Sequence, residues 1–211
     1  MSNEEMTACT PLPVRADDFN VQAILPYGLE VRHIRQAMEA FIDFLGFINW
    51  ELHRKGIRRL ELLVMPATFS SIVSEFIAGT LPKYCSSLVK NRHHNGYPDL
   101  LPRGYYSGDS VLRGQEGIEV KASRYRSGWQ GHNPEEGWLI VFVFDANSSR
   151  DEVQDVELRP FRFVEVVGAK LRKSDWRFSG RSGTSRRTIT ASVQRSGFDK
   201  MRANWIYRVS E

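Results

Sequence analysis

Two periods of apolar spacing run along the chain, and the change from one to the other divides it. Residues 29–55, LEVRHIRQAMEAFIDFLGFINWELHRK, carry Ile34, Met38, Phe41, Ile42 and Leu45 at i, i+4, i+7, i+8 and i+11. That spacing predicts one helical stripe, suited to a core contact or a dimer face, with Gly46 a candidate kink. Residues 68–85 repeat the pattern through Phe69, Ile72, Val73, Phe76 and Ile77. Thr68 is the expected N-cap, and Gly79 and Pro82 mark the expected end. Between these segments, RRLELLVMP (58–66) is an apolar run closed by Pro66, a strand or a helix end.

Further along, the period drops to two. YPDLL (97–101) follows the turn-prone HHNG and predicts a short strand; IEVKAS (118–123) predicts another. WLIVFVFD (138–145) is apolar without alternation, as expected of a central strand covered on both faces. FRFVEVVGAKL (161–171) predicts the next strand, with Phe161, Phe163, Glu165 and Val167 on one face. RTITASV (187–193) is a further candidate strand and GFDKMRANWIYR (197–208) a terminal helix. Residues 1–28, with Pro11, Pro13 and Pro26 and little periodicity, read as a loose N-terminal arm. The expected fold is α/β: one domain over 29–211, a central mixed β-sheet flanked by helices.

Composition narrows the class. A chain of 211 residues, 41% hydrophobic and 26% charged, fits one soluble domain with a well-formed core. No apolar run approaches the roughly 20 residues that span a bilayer, and MSNEEMTACTPLPVRADD lacks the apolar stretch of a secretory signal. Cys9 and Cys85 form no disulfide framework and no CxxC pair, so structural zinc is not expected and the cytoplasm is the default compartment. The net charge of +4 is unevenly spread. From Lys170 onward, eleven Lys and Arg face three acids, a side-chain charge of +8, while the remainder carries about −4. A basic region over about 170–211 favours a polyanionic partner such as nucleic acid.

One short stretch carries the chemistry. In IEVKAS, alternation points Glu119 and Lys121 to one face and Ile118, Val120 and Ala122 to the other. Charges on a core strand are costly unless paired or bound to an ion. Asp99, next to Pro98 on the preceding predicted strand, supplies a second acid. Two carboxylates make an oxygen-rich site suited to Mg²⁺ or Mn²⁺, and Lys121 adds a cation for developing negative charge.

Pro98-Asp99 followed by Glu119-Val120-Lys121 resembles the active-site pattern of the PD-(D/E)XK nuclease superfamily, over roughly residues 68–145. The resemblance implies a restriction-endonuclease-like fold and Mg²⁺-dependent hydrolysis of double-stranded DNA, as in restriction or other defence roles. It implies a metal held by Asp99, Glu119 and the Val120 carbonyl, with Lys121 orienting or deprotonating the attacking water. It further implies a glutamate from an early helix, best met by Glu75, with Glu39 and Glu51 as rivals. Cutting both strands then implies a homodimer.

Other residues are candidates for contact with DNA. Arg181, Arg186 and Arg187 lie in a Ser/Thr/Gly-rich stretch suited to phosphate. Tyr125, Arg126, Trp129 and His132 follow the lysine. His93 and His94 are adjacent and would point apart in a strand, which makes a shared metal site there improbable. Two alternatives stand beside the nuclease: a silent nucleic-acid-binding module within a larger assembly, and an interaction protein whose strand charges form only a salt bridge.

Overall fold

The computed structural model describes residues 3–131, 134–151, 157–179 and 190–210. After a short α1 (Asn3–Ala8), the first apolar stripe becomes α2 (Val31–Arg54), one continuous helix through Gly46. Gly46 does not break it. A Cβ there would lie 3.3 Å from Pro11 Cδ, so the bare glycine lets the N-terminal segment approach the helix. The ambiguous run at 58–66 resolves into helix. α3 (Leu60–Leu63) is followed by α4 (Pro66–Tyr84), whose first residue is Pro66. Proline at that position forfeits no helical hydrogen bond, so α4 starts ahead of Thr68. It also runs through Gly79 and carries Pro82 in its last turn.

Among the described residues, nine strands follow in chain order: β1 (Leu88–Lys90), β2 (Leu100–Pro102), β3 (Ile118–Ser123), β4 (Gln130–Gly131), β5 (Gly137–Asp145), β6 (Arg162–Leu171), β7 (Trp176–Ser179), β8 (Thr190–Val193) and β9 (Trp205–Arg208), with α5 (Arg195–Ala203) before the last. Six form a mixed sheet in the order β1-β2-β3-β5-β6-β9, with β3 and β5 parallel and the other pairs antiparallel. β4, β8 and β7 form a second, antiparallel sheet.

The layers explain the strand patterns. One face of the large sheet, with Ile118, Val120, Ile140, Phe142 and Phe144, packs under α2 and α4. The other face, with Leu139, Val141 and Val143, packs against Trp129, Trp176, Ala191, Val193 and Met201 of the small sheet and α5. Successive β5 side chains enter opposite cores, so the strand is apolar throughout. Each such large side chain removed from water contributes roughly 1.5–3 kcal/mol.

Three sequence expectations change. In β6, Val143 pairs with Glu165 but Phe144 pairs with Phe163, leaving Val164 as an extra residue. This bulge flips the later side chains. Phe161 and Phe163 enter the helical core while Val167 enters the other, so these residues and Glu165 do not share one face. The terminal segment is helical only to Ala203. The Asn204 side chain then donates to Ile24 O and Gly168 O, and β9 pairs with β6 as an edge strand. The described part of 1–28 is held against the sheet rather than loose. Leu12 N–H donates to Phe161 O at 2.8 Å, Asn20 N–H donates to Ile206 O at 2.9 Å, and Cys9 is fully buried. No helix among the described residues is long and apolar enough to cross a membrane.

Candidate active site

The site forms where β2 and β3 part. The two strands share one register pair, Leu100 with Ile118. At that junction Gly117 adopts a φ of 143°, and a Cβ on it would lie 2.3 Å from Leu100 O and 2.4 Å from Pro98 Cγ. Glycine is therefore required for β2 to approach. Gly117 N–H donates to the Tyr27 hydroxyl at 3.0 Å, and that hydroxyl donates to Glu116 Oε2 at 2.6 Å. Asn91 secures the other side. Its backbone N–H donates to Asp99 O at 2.8 Å, and its side-chain amide donates to Pro98 O at 3.0 Å and Val111 O at 2.8 Å.

These supports bring Asp99 onto β3. Its Oδ2 accepts the Val120 N–H at 2.8 Å. A strand residue presents its N–H and C=O along the same edge, so the Val120 carbonyl faces the Asp99 side as well. Lys121 Nζ donates to Glu119 Oε1 at 3.0 Å. Asp99 Oδ1 and Glu119 Oε2 accept no protein hydrogen bond among the described residues. The group opens into a cavity of about 780 Å³, whose opposite wall carries Ser70, Ser71, Ser74 and Glu75 of α4.

Electrostatics set the protonation states. Burial and the neighbouring Glu119 carboxylate push the Asp99 carboxyl up to about 7. Burial by itself lowers the Lys121 ammonium, but Glu119 more than offsets this, and the net shift is upward. Lys121 therefore holds its proton at neutral pH. A third acid, Glu135, is pushed up to about 7 by burial and by Glu119. Burial, with the charges of Glu135, Glu119 and Asp99, also raises the Tyr97 hydroxyl. An acidic cluster that raises its own members' pKa values is one whose charge a cation would relieve. Among the described residues, no three His, Cys, Asp or Glu side chains form a ready cage. An ion held by two carboxylates completes its shell with water and substrate oxygen, the habit of Mg²⁺.

The other sequence candidates divide. Of the three glutamates considered, Glu75 lines the cavity; it is largely exposed and paired with Lys90 at 2.6 Å. Glu39 pairs with Arg35 and Glu51 with Arg54, both away from the cavity lining. Tyr125 lines the cavity and Arg126 is exposed in the loop beside it. Trp129 is buried, donates to Tyr125 O at 2.9 Å and packs on Phe198, so its ring belongs to the second core. His93 and His94 are exposed. His132, Arg181, Arg186 and Arg187 lie outside the described residues.

The basic excess is partly neutralised. Lys170 pairs with Glu116, Lys200 with Asp175 and Arg208 with Glu165. Three residues at the site escaped the sequence reading: Asn91, Gly117 and Glu135. Gly117 precedes a strand, the position where a glycine signals close backbone approach. Asn91 and Glu135 carry no comparable local signal. The chain matches no protein-family model and no curated protein at a significant level.

Proposed function

We propose that the protein is a metal-dependent endonuclease that hydrolyses phosphodiester bonds of double-stranded DNA, on a restriction-endonuclease-like fold. The observation that carries the reading is the convergence of Asp99, Glu119 and Lys121 on one cavity at the open edge of β3. The free carboxylate oxygens of Asp99 and Glu119, with the Val120 carbonyl, would hold Mg²⁺ or Mn²⁺. Such an ion, when bound, supplies Lewis-acid stabilisation of the phosphoryl group and an acidified water. Lys121, a cation here, orients the nucleophile's oxygen and offsets charge developing on the phosphate. In that charged state it is not the general base. Glu75, on the α4 wall of the cavity, would add a further carboxylate toward such an ion.

Cutting both strands with one site per chain calls for two copies, so a homodimer belongs to the proposal. Two buried free thiols, Cys9 and Cys85, fit a reducing compartment such as the cytoplasm. One observation favours a second reading, the catalytically silent binding module: Lys121 is closed onto its own acid, Glu119, at 3.0 Å. Supercoiled plasmid incubated with and without Mg²⁺ or Mn²⁺ separates the two. Metal-dependent nicking or linearisation by the wild type, lost in Lys121→Ala, supports the nuclease. DNA binding without cleavage supports the module.

A further inference from the structure

A polar track leaves the candidate active site across the small sheet. Gln130 of β4 lines the main cavity. Its cross-strand partner is Ser192 of β8, and the partner of Ser192 is Arg177 of β7. Directly opposed residues of antiparallel strands share a face. Gln130, Ser192 and Arg177 therefore form one row on the side away from Ala191, Trp176 and Val193, which are buried in the second core. Three strands at about 4.8 Å spacing make the row about 10 Å long, close to three nucleotide steps along a duplex axis.

The row ends in a second groove of about 630 Å³, lined by Arg177, Phe178, Ser192, Val193, Gln194 and Arg195. Among the described residues, its charged lining consists of the two arginines. Two other cavities carry mixed charge: one has Asp145 and Asp151 beside Arg124 and Arg150, the other Glu135 and Glu136 beside Arg113 and Lys173. Arg195 is almost fully exposed and meets Asp199, itself largely in solvent, at 3.8 Å, a contact too weak to cancel its charge. Guanidinium, hydroxyl and amide donors along a row are the groups that hold phosphate and sugar oxygens without reading sequence.

We propose that the sugar–phosphate backbone of DNA runs from the Asp99–Glu119–Lys121 cavity over Gln130 and Ser192 into the Arg177–Arg195 groove. This path rests on the nucleic-acid reading above but not on cleavage itself. It assigns binding to residues that are neither in the motif nor among the arginines of 180–189.

The test is fluorescence anisotropy of the full-length protein with a labelled DNA duplex in EDTA, titrated with salt. An Arg177→Ala/Arg195→Ala double variant is expected to bind roughly tenfold more weakly near 0.1 M salt, with a slope of log affinity against log salt shallower by about 2. Ser192→Glu, which places a charge mid-row, should weaken binding similarly. Lys55→Ala, in the turn after α2, should bind as the wild type does. Thermal midpoints matching the wild type show that the exposed substitutions leave the fold intact. Wild-type affinity and slope in both groove variants, an equal loss in Lys55→Ala, or no duplex binding by the wild type would each overturn the path. Plasmid cleavage by the same proteins in Mg²⁺ without EDTA keeps the two readings apart. Groove-dependent binding without any cleavage sustains the path and removes the nuclease; cleavage with groove-independent binding does the reverse.

Discussion

Two charged clusters among the described residues, one around Arg59 and one around Asp99, are built differently. Around Arg59, the guanidinium donates to Glu5, Glu61, Asn147, Ala8 O and Arg159 O, and Glu61 also accepts from Asn49. Arg59 and Glu61 side chains are 1% and 0% exposed. At the second cluster, Asp99 and Glu119 each engage one oxygen, Lys121 and Glu119 remain 23% and 16% exposed, and a cavity opens beside them. The first cluster is saturated and ties α1, α3 and the segment after β5 together. The second is left incomplete at the point where a ligand can enter. In these two clusters buried charge has different outcomes, and what separates them is an unengaged carboxylate oxygen beside an open cavity.

The contrast can be broken most severely at Arg59. Arg59→Ala strands Glu61 without its counter-charge, and stability should fall by about 3–5 kcal/mol. Urea unfolding measures it; a loss below about 1 kcal/mol would mean that the cluster is not structural. Next in size is the site. Lys121→Ala or Asp99→Ala should cut the metal-dependent cleavage rate by about 10²–10³-fold or more while the urea midpoint stays close to wild type. Undiminished cleavage by either variant removes the catalytic assignment.

A smaller effect sharpens the comparison through pH. The Asp99 carboxyl is raised from 3.8 to about 7 in the folded protein. A raised acid contributes stability below its unfolded value and loses it as pH rises toward the folded one. The metal-free protein should therefore weaken between pH 4 and 7 through this group. Asp99→Asn, whose amide oxygen can still accept from Val120, should remove roughly 1–3 kcal/mol of that pH dependence. Urea midpoints at both ends of the window, in EDTA, decide it; identical profiles would mean Asp99 is not held in a proton-retaining site. The smallest effect belongs to Glu75→Gln. Its bridge to Lys90 is exposed, so stability should move by less than about 1 kcal/mol, while the Mg²⁺ concentration for half-maximal cleavage rises. No change in that concentration would place Glu75 outside the ion's surroundings.

Much of this was legible along the chain. The stripe through Ile34, Met38 and Phe41 became α2, and the unbroken apolar run at 138–145 became the doubly buried β5, because period and burial are coupled directly. Glu119 and Lys121 were legible as a pair because strand alternation fixes which side chains share a face; Asp99, which lies in the bend before β2 and not on the strand expected over 97–101, was legible only through the Pro-Asp motif. Other features depend on partners distant in sequence. The bulge at Val164 is a mismatch between two strands and leaves no mark on one of them. The Trp205–Arg208 run follows an amphipathic helix closely enough to be absorbed into it, and what makes it a strand is the free edge of β6. Glu135 precedes β5, and its relation to Glu119 exists only because β3 and β5 lie side by side in parallel.

The borders of the large sheet also govern how copies of the chain can meet. On the β9 side, Asn20 N–H occupies Ile206 O and Phe19 bridges Tyr207, so the N-terminal segment already fills part of the place a further strand would take. On the other side β1 is three residues long and ends in Lys90. Short, charged or covered edges resist the strand addition that drives aggregation and sheet-to-sheet fusion. Copies that met at these borders would do so through side-chain surfaces, with each large sheet a separate unit and its orientation to the next set by shape rather than by hydrogen-bond register.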